Sequence, residues 1–201
     1  MISLLACSIA WAHAPAAAEP AVAAASPDGA HFATLTTWVD EAPGFPNARL
    51  ELFDLRTRSR MAVWQVRLVG PASLGGVRAA SAEVRARAAD ALRAVRVELD
   101  ASKPGAACAE TRCGDLEVDV LSTRTPDKAE QCYGRVGPDL LSITVNSREW
   151  LTETFPADGC PSAWRAHSAW IHGDSVVLLL AYEQPGHEGV VMRYAAVAGP
   201  R

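Results

Sequence analysis

Trp164-Arg165-Ala166-His167-Ser168-Ala169-Trp170-Ile171, then His172-Gly173-Asp174-Ser175, then Val176-Val177-Leu178-Leu179-Leu180-Ala181-Tyr182 is the stretch that decides the fold. Two apolar-rich runs flank a short polar link, and Gly173-Asp174 suits a two-residue hairpin turn. Val190 to Val197 follows after a Pro-Gly loop. The C-terminus therefore reads as a three-stranded antiparallel meander that forms core.

Further strands are expected upstream. Ser26-Pro27-Asp28-Gly29 is a turn by mechanism, with Pro presetting φ, Asp bonding its own backbone and Gly taking the left-handed position. His31 to Trp38 follows as a strand with Phe32 and Trp38 on one face. Asp40 to Asn47 is broken by Pro43, Gly44 and Pro46. Arg49 to Leu55 alternates at period two, and Met61 to Leu68 places Trp64, Val66 and Leu68 on one side. Leu116 to Val120 and Leu140 to Val145 add two more strands.

Between Ser81 and Val97 the period changes. Val84, Ala88, Leu92 and Val95 recur at helical spacing, while Arg85, Arg87, Arg93 and Arg96 lie elsewhere. This is a basic amphipathic helix, either a surface helix laid on a sheet or a face for an acidic partner. About eight strands beside one helix predict a mainly β (α+β) fold, an antiparallel sheet or sandwich with one packed helix.

The chain has 201 residues, 49% hydrophobic and 21% charged, enough for one domain with a real core. A formal net charge of −4 leaves no basic footprint for nucleic acid. A membrane helix needs roughly 18 consecutive apolar residues, which the mature region lacks.

The first stretch differs in kind. Ile2 to Ala12 is apolar, and small residues at Ala16 and Ala18 suit a signal-peptidase cut before Glu19. No Lys or Arg occurs before Arg49, so the positive n-region is missing, or the true start lies upstream of Met1. Leu4-Leu5-Ala6-Cys7 also has the form of a lipobox, with Cys7 lipidated; a buried N-terminal segment is the third possibility. The expected organisation is a signal peptide at 1–18, a spacer at 19–25 and one β-rich domain at 26–201, secreted or periplasmic.

Removing the leader leaves Cys108, Cys113, Cys132 and Cys160, an even set suited to an oxidising compartment. Of the three pairings, Cys108–Cys113 with Cys132–Cys160 is favoured. Zinc is the rival, but its ligands usually come as C-x-x-C pairs, a spacing absent here.

Ser26-Pro27-Asp28-Gly29 before a strand, with a second strand ending in Asp54-Leu55, resembles one blade of a TolB-like or WD-type propeller. Blades repeat, and this signature occurs once. Ser26-Pro27-Asp28-Gly29 with Phe32, Gly44-Phe45-Pro46, Leu50, Asp54, Gly159-Cys160-Pro161, Pro185-Gly186, Glu188-Gly189, Arg193-Tyr194 and Val197 together resemble a family of secreted bacterial proteins, domain of unknown function 2259. The matching blocks lie at both ends of the mature chain. The resemblance implies secretion and supplies no activity.

Candidate chemistry is sparse. No G-x-S-x-G elbow occurs for a serine hydrolase. His167 and His172 are five positions apart, so a regular strand points them to opposite faces. His187 and Glu188, in a loop beside Glu183, are the candidates for a metal or small ligand, against a solvated loop. The acid pairs Glu149 and Glu153, Glu183 and Glu188, or Asp40 and Glu41 could serve a glycosidase, and no feature prefers one. Arg193 is expected to pair with Glu188 rather than hold an anion. Trp38, Trp64, Trp164 and Trp170 read as core rather than as a sugar platform. No cofactor is implied.

The expected function is a non-catalytic binding module of the cell envelope, engaging an envelope protein or polysaccharide through a sheet edge or loops. The alternatives are an envelope hydrolase using loop carboxylates and a partial propeller-type interaction protein.

Overall fold

The computed structural model describes residues 19–40, 44–101, 105–123, 139–155, 162–185 and 190–201. The chain is mainly β, with two antiparallel sheets and one α-helix among these residues. The first sheet is a plain meander of β1 (Glu19–Ala25), β2 (His31–Val39), β3 (Pro46–Asp54) and β4 (Ser59–Arg67). A 3₁₀ turn, Gly70–Gly75, leads into α1 (Gly76–Ala94).

Eight strands build the second sheet: β5 (Ala106–Ala109), β6 (Arg112–Cys113), β7 (Leu116–Thr123), β8 (Asp139–Val145), β9 (Arg148–Phe155), β10 (Ser162–His172), β11 (Ser175–Pro185) and β12 (Val190–Pro200). Their spatial order is β12-β11-β10-β5-β6-β7-β8-β9. The disulfide expected between Cys108 and Cys113 is present, across the β5–β6 hairpin that joins the two halves of this sheet. Cys7, Cys132 and Cys160 lie outside the described residues.

Side-chain alternation sorts the layers. In β2 and β3, Ala33, Leu35, Ala48, Leu50 and Leu52 face α1, meeting Ala80, Val84, Ala88 and Leu92. The opposite face of the four-stranded sheet presents Phe32 and Phe53 to Trp170, Val177, Leu179 and Ala196 of the C-terminal meander. That meander turns its other face, with Val176, Leu178 and Leu180, toward Val118, Ile143, Val145 and Trp150 of β7–β9. β11 is thus buried on both sides, which is why its apolar run is unbroken rather than alternating.

Several sequence expectations change. Glu19–Ala25 is no spacer but an edge strand, paired with β2. Strands β5, β6 and β9 were also not expected. For β9 the missed signal is Asn146-Ser147, both at positive φ of 49° and 64°, a two-residue turn of the hairpin type that needs left-handed residues. The helix begins and ends earlier than its periodicity suggests. It stops at Ala94 because Arg96 is left-handed, at φ 55°. Arg96 N–H donates to Arg93 O and Val97 N–H to Leu92 O, at 3.2 and 3.0 Å. This double closure normally carries glycine at the left-handed position, so an arginine there hid the stop.

The propeller resemblance stops at one blade-like meander. Its outer face is covered by α1 and its inner face by the C-terminal meander, where a propeller would stack further blades on both.

Candidate functional site

The Ser26–Gly29 turn is built as its residues require. Ser26 Oγ donates to Asp28 Oδ1 at 2.6 Å, Ala30 N–H donates to the same oxygen at 3.0 Å, and Gly29 has φ 68°. These bonds hold the Asp28 carboxyl below its ordinary pKa, the Ser26 hydroxyl first and the Ala30 amide second. The imidazole of His172 lies against Gly29, leaving no room there for a Cβ. Two turns from different sheets therefore pack together, and the motif is structural.

The two histidines of the C-terminal strand do lie apart. A bulge between Ala166 and Ser168 sets His167 beside Tyr194, edge to face at 5.0 Å between ring centres. His167 Nδ1 is 2.9 Å from Ser168 Oγ. Burial, with the neighbouring Arg165 charge second, pushes the His167 imidazole below its ordinary pKa. Ser168 is itself buried, so this contact does not present a nucleophile.

Each of the proposed acid pairs has one member outside the described side chains. Glu149 accepts from Ser142 Oγ on the surface at 3.2 Å. Glu183 lies 3.9 Å from Arg165. Glu41, His187 and Glu188 lie outside the described residues, as does the side chain of Glu153. Arg193 has its expected partner, Glu188, outside the described residues. Its Nη2 binds Asp40 Oδ1 at 3.0 Å, and its guanidinium sits over the Trp38 ring at 5.1 Å. Asp40 Oδ2 is held by Arg67 Nε at 2.9 Å. One carboxylate thus ties β4 to β12, which occupies both Asp40 and Arg193.

Trp164 and Trp170 are buried, Trp38 lies beneath Arg193, and Trp64 packs toward α1. They assemble no common stacking platform. On α1, Arg87 pairs with Glu83, Arg93 with Asp90, and Arg85 with Asp100 at 2.6 Å. The Arg87 and Arg93 pairs are ordinary surface pairs on a solvated helix face.

The informative feature is one the sequence did not mark: Glu51, 1% exposed in the middle of β3. Its Oε1 receives Arg49 Nη2 at 2.9 Å and Arg60 Nη1 at 3.0 Å. Its Oε2 accepts Ala196 N–H at 3.3 Å. A buried carboxylate needs such partners to offset desolvation, and here it also satisfies one amide of β12, that of Ala196.

The β4 edge is different. Among the described residues no strand pairs with its outer side. Leu68 N–H donates to Pro46 O, so antiparallel alternation turns the N–H and C=O of Val63 and Gln65 outward. Met61 and Val63 are 50% and 41% exposed along this strand. Exposed edges are usually guarded by free charges. Arg60 and Arg67, which flank this stretch, are instead engaged by Glu51 and Asp40.

No helix among the described residues is long and apolar enough to cross a membrane. Comparison with protein-family models, curated proteins and solved structures finds no match to this chain.

Proposed function

We propose that this chain is an exported, non-catalytic binding module of the cell envelope, of the secreted kind its sequence resembles, and that it captures an extended protein segment on the outer edge of β4. The observation that carries this reading is the open edge itself. Outward N–H and C=O groups at Val63 and Gln65 lie beside exposed Met61 and Val63, with the flanking arginines drawn away. An added strand would gain main-chain hydrogen bonds there and apolar contact on alternate side chains. Export is supported by the apolar leader and by the Cys108–Cys113 disulfide.

Gln65→Pro is the discriminating change. It removes an outward N–H and leaves the β3–β4 ladder bonds intact, since proline is tolerated where a strand's N–H faces solvent. Envelope proteins retained by the immobilised chain should be lost from Gln65→Pro and kept by Gln65→Thr. Equal retention by both variants overturns edge capture. Recovery of the intact chain from cytosol, with Cys108 and Cys113 free to alkylate, overturns export.

A further inference from the structure

A cavity of about 430 Å³ opens between the first turns of α1 and the neighbouring ends of β1 and β2. Its size falls within the range of small-molecule sites, which begin at roughly 300 Å³. Val22 and Leu35 give it an apolar wall, while Thr37, Arg78, Ser81 and Arg85 supply the polar one. None of the described lining residues is acidic.

Two polar groups there lack partners. Thr37 shares the α1-facing side of β2 with Leu35 and is only 8% exposed. Its hydroxyl has no hydrogen-bond partner among the described residues. Arg85 Nη1 is held by Asp100, yet its Nε–H is sealed from solvent with no partner. Leaving the sealed Arg85 Nε–H unpaired costs about 1–3 kcal/mol, which requires an explanation.

The charge of the surroundings supplies one. The first turn of α1 carries no acid, and its N-cap, Gly75, offers no side-chain acceptor. The positive end of the helix dipole therefore remains uncompensated by a side chain at this end. Asp100 offsets Arg85, whereas Arg78 has no carboxylate partner among the described residues. One positive charge is left over, beside unpaired donors and an apolar wall.

We infer that this cavity binds a small, soluble organic anion, an oxyanion group on a compact apolar body, with Arg78 and the Thr37 hydroxyl on the oxyanion and Val22 and Leu35 against the body. This site is separate from the β4 edge and does not depend on it.

Phenyl phosphate, inorganic phosphate and phenol are suitable probes, titrated into the ¹⁵N-labelled full chain and followed by amide shifts. Phenyl phosphate should saturate, shift Thr37 and the start of α1, and bind about tenfold tighter than either of its parts. Arg78→Gln should weaken it about tenfold, and Thr37→Val, which keeps the side-chain shape, about fivefold. The proposal is overturned if phenyl phosphate gives no saturable shifts, or if phenol binds as well. It is equally overturned if Arg78→Gln and Thr37→Val bind like the parent.

Discussion

Trp150 of β9 packs its indole onto Gly199 of β12, so closely that residue 199 has no space for a methyl group. These strands are the two ends of the eight-stranded order. The contact, with Arg148 Nη1 donating to Arg201 O at 3.2 Å, brings those ends together. A continuous sheet is thereby rolled around the core that includes Ile143, Leu178 and Leu180. Gly199→Ala should cost about 1–3 kcal/mol by overpacking, and Trp150→Ala about 3–5 kcal/mol by emptying the site. Trp150→Phe should cost less than Trp150→Ala, because the indole Nε1–H is already buried without a partner. Urea unfolding of the three variants checks that order.

Glu51 holds the junction between the two sheets. Glu51→Gln keeps the shape but weakens three bonds at once, and should destabilise by about 2 kcal/mol. Arg49 and Arg60 are partly exposed, so Arg49→Gln or Arg60→Gln should each cost under about 1 kcal/mol. Equal losses for all three would show that the carboxylate has no special place in the interface.

Arg96 adopts a left-handed backbone at some expense, since a Cβ there crowds the next carbonyl. Arg96→Gly should therefore stabilise the chain by a few tenths up to about 1 kcal/mol, the greater flexibility of unfolded glycine offsetting part of the gain. A thermal melt that falls instead of rising would mean that the arginine side chain contributes more than the strain removes.

The disulfide spans a sequence separation of five, across the hairpin between the two halves of the rolled sheet. Loop closure of this length is worth about 2 kcal/mol on the chain-entropy scale. Cys108→Ser with Cys113→Ser should lower the urea midpoint accordingly. Amide exchange should rise first in β5 and β6, where the pairing is shortest.

His167 makes stability depend on pH. Its folded pKa lies below the ordinary 6.5, through burial first and the Arg165 charge second. The unfolded chain therefore takes up the proton before the folded chain does. This group's contribution is complete above about pH 6.5, declines as the pH falls toward the folded value, and is level below that. His167→Gln should narrow the gap in urea midpoint between about pH 7.5 and 5.5. An unchanged gap would assign the pH effect to other groups.

Much of the local structure was legible in the chain. Alternation in Arg49–Leu55 and Met61–Leu68 located β3 and β4, the stripe through Val84, Ala88 and Leu92 located α1, and Ser26–Gly29 and Gly173-Asp174 marked tight turns. Short-range chemistry determines these features, and residues a few positions apart suffice to reveal it. Three other features were set by neighbours far away in sequence. Glu19–Ala25 looks like a spacer because alanine is indifferent, and pairing with β2 makes it a strand. Glu51 falls on the nominally polar side of its strand, and only the C-terminal meander laid over that side buries it. Among the described residues the outer edge of β4 is open, whereas on β12 the Ala196 N–H is met by Glu51 from a distant strand. A strand's period reveals that it has two faces and two edges; what covers each is decided when distant segments pack, so the candidate binding edge and the cavity beside α1 emerged only from the tertiary structure.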